Sequence, residues 1–128
     1  MSNWLLTFSG LFGALGVISG ALGSHALKTR LPASDLEVFN TAVIYLLVHS
    51  AVLLGCGVAL NANEANLWLK LAGAFLVVGI VLFPGGLILR SVTGDTLFVQ
   101  FAPIGGSALI LGWVAIAIGG MVNIGQIK

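Results

Sequence analysis

Thr41, Tyr45 and His49 follow one another at intervals of four within a single apolar stretch, so that on a helix their side chains stack along one face. His49 is the twelfth of the 23 residues from Val38 to Leu60, which would set it near the middle of a bilayer if that stretch crosses one. An ionisable group at that depth is costly and usually faces a bundle interior or a cavity. Two chemistries fit it. A neutral His49 bonded to a Tyr, Ser or Trp partner would hold the bundle in register and tolerate an apolar isostere. A protonatable His49 in a wet cavity, with Tyr45 and Thr41 completing a polar file, would carry protons or a small solute. Cys56, seven residues further on, falls on roughly the same face, and as the lone cysteine it excludes an intramolecular disulfide.

Other chemistry has little to build on. His25 lies at the end of the preceding apolar run, roughly 15 Å or more from the depth of His49 by helical rise, so one metal ion could not take both. No cluster of carboxylates or thiols stands at ligand spacing, and neither a metal nor another cofactor is expected. No serine or cysteine has an evident base and orienting acid, so no catalytic residue is assigned and an enzyme is not expected. The glycine motifs lack the strand and following helix of a phosphate-binding loop. A net charge of +1 offers no basic stripe for nucleic acid.

These residues must be positioned by a chain of 128 residues that is 59% hydrophobic and 7% charged. Soluble domains carry about 25% charged residues, so this one must face lipid as well as itself. Four apolar runs, at approximately 4–23, 35–60, 67–89 and 99–122, each approach the roughly 20 residues needed to span hydrocarbon. The expected fold is therefore an all-α integral membrane protein, one domain over 1–128, formed by a bundle of four transmembrane helices. The first run has no lysine or arginine before Trp4 and exceeds the core of a signal peptide, so it reads as a span. Ser34 to Glu37, "SDLE", has capping-box spacing, which predicts the Ser34 hydroxyl and Glu37 carboxylate closing the start of the second helix.

Small residues then predict how the helices meet. Gly10, Gly13, Gly16, Gly20 and Gly23 recur every three or four residues, a stripe on which a neighbouring helix can approach closely. Counting about eleven residues inward from the shared loop side brings Gly13, Gly79 and Gly112 near the level of His49, with Trp113 beside the last, so space around the imidazole is expected there. Pro84, Gly85 and Gly86 predict a kink or irregular backbone near the loop end of the third helix, and Pro103, Gly105 and Gly106 a second break at the start of the fourth. Both breaks fall on the side of the His25 loop.

Most of the few charges gather on that same side. His25, Lys28, Arg30 and Arg90 form an interfacial motif that could pair with Asp35, Glu37 and Asp95, bind lipid phosphates or contact a partner protein. Three cations in the first and third loops against Lys70 and Lys128 elsewhere place those loops in the cytoplasm and both termini outside.

The combination of "GALGSHALK", "FNTAVIYLLVHSAVLL", "LFPGGLIL" and "APIGGSALILGW" resembles the YgdD-like family of small four-helix membrane proteins, catalogued as a domain of unknown function. The resemblance spans nearly the whole chain and implies a multi-pass protein of the bacterial inner membrane, with a similar human mitochondrial relative. The family pattern falls on Gly23, His25, Ala26, Leu27 and Lys28, then on Tyr45 and His49, and finally on Pro103, Gly105, Gly106, Gly112 and Trp113. Members often carry a serine-glycine-serine element and Leu-Tyr in the third helix, where this chain has Pro84, Gly85, Gly86, Leu87 and Ile88. No activity comes with the resemblance. The expectation is a non-enzymatic protein, embedded in the lipid bilayer, that associates with other membrane protein subunits or forms a homo-oligomer. The alternatives are a pathway centred on His49 and anionic-lipid binding at Lys28, Arg30 and Arg90.

Overall fold

A computed structural model describes residues 3–126, with side chains through residue 122, so Lys128 and its part in the charge count lie outside the described residues. The described residues form α1 (Trp4–Ser24), α2 (Ala33–Ala62), α3 (Leu67–Leu82), α4 (Pro84–Thr93), a 3-10 turn (Thr96–Val99) and α5 (Ala102–Gln126). Four stretches are long and apolar enough to cross a membrane: α1, α2, α3 with α4, and the 3-10 turn with α5. The fold is a bundle of four membrane-spanning segments, in which backbone polar groups bond within each helix.

Asparagines start two of the helices. Asn3 accepts from the Leu6 N–H at 3.3 Å and Asn66 from the Leu69 N–H at 3.3 Å, each satisfying an orphan donor of a first turn. The capping box expected at Ser34 and Glu37 does not form. Pro32 is the N-cap, α2 starts at Ala33, and no side chain caps it. Proline, with its backbone torsion already suited to a helix entrance, moves the start upstream of Ser34. Asp35 still sits in the first turn, against the positive end of the helix dipole, but its carboxylate turns to Arg90 instead.

The third span breaks at Phe83. Pro84, without an N–H, opens α4, while Phe83 donates to the Gly79 carbonyl at 2.8 Å and Leu87 donates to the Phe83 carbonyl at 3.0 Å, so bonding continues across the joint. Gly94, in the left-handed conformation that glycine adopts without strain, ends α4 and donates to the Arg90 carbonyl. The fourth span changes from the 3-10 turn to α5 just before Pro103. Pro103 falls in the first turn of α5, where its missing N–H would have had no partner in any case.

α1 packs on α2, α5 packs on α3, and α2 joins the two pairs. Leu5, Leu53, Leu76 and Ile80 form the centre of the core. The tightest seam is between α3 and α5. A β-carbon at Gly105 would lie 2.6 Å from the Phe83 nitrogen, and one at Gly79 would lie 2.9 Å from the Gly105 carbonyl oxygen. On the other side, Gly16, Gly20 and Gly23 lie against Leu47, Val43 and Phe39 of α2, whereas Gly10 and Gly13 have nothing within 4 Å of where a side chain would begin. The α1 stripe therefore divides, its later half used inside the molecule and its earlier half open.

Gly105→Ala is expected to destabilise the fold by about 1–3 kcal/mol, since main chain rather than a flexible side chain must give way. Gly13→Ala is expected to leave stability unchanged or slightly raised, because it fills open space and favours helix. Reversible unfolding of both variants in mixed micelles checks the difference.

Candidate functional site

α2 and α5 bring the two polar aromatic side chains of the midspan together. His49 is 6% exposed, and its Nδ1 lies 2.7 Å from the Tyr45 carbonyl oxygen one turn earlier. The Trp113 indole N–H donates to His49 Nε2 at 3.2 Å. An indole nitrogen can only donate, so Nε2 is the acceptor and the ring proton sits on Nδ1, where it donates to the carbonyl. Both nitrogens of a neutral imidazole are thereby used. A proton on Nε2 would set two donors against each other.

Rings surround the pair. Tyr45 stacks nearly parallel to His49, with centroids 5.8 Å apart, and meets Phe83 edge-on at 5.0 Å. Trp113 stands edge-on to the imidazole at 6.0 Å. Tyr45 and Trp113 are 40% and 46% exposed, so the cluster lies at the bundle's flank, with His49 beneath. Thr41 continues the face two turns from His49 and is exposed, with no hydrogen bond to the cluster among the described residues.

The space expected around His49 is not made by the three glycines. Gly13 opens outward, Gly79 receives Leu109, and Gly112 receives Leu76. Residues at one depth need not face one point, and these turn towards different neighbours. Sequence reasoning also passed over Phe83, the ring that joins Tyr45 to the α3–α4 joint, because its neighbours Pro84 and Gly85 drew the reading towards backbone alone. It passed over Ser9 and Ser50 as well. Ser9 donates to the Ser50 carbonyl at 2.9 Å and Ser50 to the Leu46 carbonyl at 2.5 Å, a polar tie between α1 and α2.

At the loop end, Arg90 Nη1 lies 2.5 Å from Asp35 Oδ1, fastening α4 to the start of α2. Asp95 instead accepts from the Leu97 N–H at 2.9 Å, capping the 3-10 turn. His25 closes α1 through its backbone and is exposed, as are Lys28 and Arg30 in the turn that follows. The interfacial motif is thus one ion pair between elements and a loop of exposed basic side chains.

Comparison with known proteins settles the family. The profile described as "Protein of unknown function (DUF423)" matches residues 19–106. This chain belongs to that family. It is 33% identical to a UPF0382 membrane protein of Haemophilus influenzae over 93% of this chain and 94% of that protein. It is 29% identical to the UPF0382 inner membrane protein YgdD of Escherichia coli K12 over 92% and 89%, and 33% identical to the UPF0382 membrane protein YwdK of Bacillus subtilis over 81% and 85%. No solved structure matches. This DUF423 protein is accordingly a multi-pass protein of the bacterial inner membrane, and the family carries no enzymatic name.

The Trp113–His49 bond makes a spectroscopic prediction. In lipid, nitrogen shifts of His49 are expected to show the neutral form with the proton on Nδ1, and Trp113→Phe should mix the two tautomers. The same substitution is expected to cost roughly 0.6 kcal/mol, and at most about 1.7, the range measured for hydrogen bonds between membrane helices.

Proposed function

We propose that the protein works by association within the membrane, as a non-enzymatic accessory or assembly component of a larger membrane complex or as a homo-oligomer. The observation that carries this reading is the divided glycine stripe. Gly10 and Gly13 belong to the same row as glycines pressed against α2, yet nothing meets them. They line a shallow groove of about 420 Å³ between α1 and α2, together with Ala14, Ala51 and Leu54. Lipid tails are as apolar as leucine, so helices associate in a membrane chiefly by close packing, and a groove floored by glycine and alanine admits a second backbone.

The competing pathway through Thr41, Tyr45 and His49 has weaker support. Both imidazole nitrogens are bonded within the bundle, and Thr41 is displaced from the pair. A group that relays protons needs a nitrogen open to the next carrier.

Extraction of the membrane into native discs with a polymer, followed by mass measurement, tests the proposal. The wild-type chain is expected to emerge as an oligomer or with a stoichiometric partner, and Gly10→Leu with Gly13→Leu should weaken that association at least ten-fold without lowering the melting temperature. A monomer with nothing bound, in discs and in mild detergents, would end this reading.

A further inference from the structure

Two apolar clefts flank the α3–α4 joint. One, between α1, α2 and α4, has walls from Leu15, Leu46 and Ile88, and the other, between α4 and the 3-10 turn, has walls from Leu97, Phe98 and Phe101. Each encloses about 340 Å³, and Val81 and Leu89 form a ridge common to both. Gly85 lines the first cleft and Gly86 the second, and at Gly86 the missing side chain lets the Phe98 carbonyl of the 3-10 turn close against α4. From Val81 to Leu89 the ridge rises roughly 12 Å, close to one leaflet of a hydrocarbon core about 30 Å thick. That depth is too short for a crossing helix. It suits a pair of chains entering from one side.

A basic side chain follows the ridge in the chain. Arg90 directly follows the ridge residue Leu89, and its side chain is 33% exposed. One nitrogen is held by Asp35, while a guanidinium carries five N–H donors in all, so this one contact leaves most of them able to bond a further acceptor. Ser19 of α1 lines the first cleft, and α1 ends five residues later at Ser24, which brings the exposed Lys28 and Arg30 to the same side of the membrane as Arg90. Glu37 and Asp95 also lie exposed on this side, so the face is not a field of uniform sign.

We infer that this surface is a binding site for one diacyl phospholipid, its two acyl chains lying either side of the Val81–Leu89 ridge and its phosphate taken by Arg90. A guanidinium bonds phosphate oxygens through paired N–H groups, a stronger contact than neutral donors make. The phosphodiester is the feature recognised, and every glycerophospholipid carries it. The inference stands apart from the association reading, whose groove opens elsewhere, around Gly10 and Gly13.

Native mass spectrometry of the full chain with equal amounts of phosphatidylethanolamine, phosphatidylglycerol and diacylglycerol of identical chains tests it. One phospholipid is expected to be retained per chain and diacylglycerol at least ten-fold less. Val81→Trp, which fills the clefts from an exposed position, should reduce retention about ten-fold. Asp35→Asn and Arg90→Gln break the same ion pair but should act oppositely, the first keeping or raising retention by freeing the guanidinium and the second lowering it. Diacylglycerol held as well as phospholipid, retention unaltered in Val81→Trp, or the two ion-pair variants moving together would each overturn the site. If Arg90→Gln does not fold, as read by its melting curve, the diacylglycerol and Val81→Trp arms decide.

Discussion

Main chain meets main chain where the last turn of α3 lies against the first turns of α5, and the rest of the bundle depends on that contact. Gly79 and Gly105 leave no room for a β-carbon, with the Phe83 nitrogen and the Gly105 oxygen as the limiting atoms. Helices in lipid gain nothing from hiding apolar surface from water, so close approach and the dispersion it allows must supply the cohesion. With the seam fixed at Gly105, α5 has one height relative to α3. Trp113, eight residues or roughly 12 Å further along, is then delivered to the level of His49.

The Trp113–His49 bond is a consequence of that height and in turn reports on it. An indole N–H and an imidazole nitrogen are each expensive to leave alone in hydrocarbon, and here each removes the other's penalty. The same economy appears elsewhere. Ser9 and Ser50 bond to carbonyls of α2, and Asn66 both caps α3 and reaches the Gly119 carbonyl of α5 at 3.4 Å. Asn3 does likewise for α1, bonding the Gly57 carbonyl at 2.9 Å and the Asn61 side chain at 2.7 Å. Polar groups placed this way act as register marks between helices that a purely apolar surface would let slide.

Span number and the shared depth of Trp113 and His49 were legible in the sequence because both follow from counting residues along a helix, whereas which of Tyr, Ser or Trp would bond the imidazole was left open. The joint at Phe83 was legible because proline imposes it locally. Which way a glycine faces was not, since that depends on the partner: Gly16 and Gly13 are equivalent in the pattern, yet only Gly16 meets α2. The capping box failed for a related reason. "SDLE" satisfies the local rule, but Pro32 offers an earlier start and Arg90, 55 residues away from Asp35, offers that carboxylate a charged partner. Pro103 marks the opening of α5, as a proline in a first turn can, but the 3-10 turn ahead of it left no such mark in the pattern.

The proline-glycine element of the third span carries two consequences at once, and they pull in the same direction. Gly79 and the Phe83 backbone bring α5 in close on one side, while Pro84 starts a new helix whose next two residues, Gly85 and Gly86, have no side chains to spread over its flanks. Side chains at those positions would press on main chain, on the Ile80 carbonyl from Gly85 and on the Phe98 carbonyl from Gly86. An unbroken helix would also have no joint from which α4 could reach α2 and set Arg90 against Asp35. The charge pair therefore sits where it does because the backbone changes course one leaflet below it, which explains why so apolar a chain keeps its ionic contact between elements at this end.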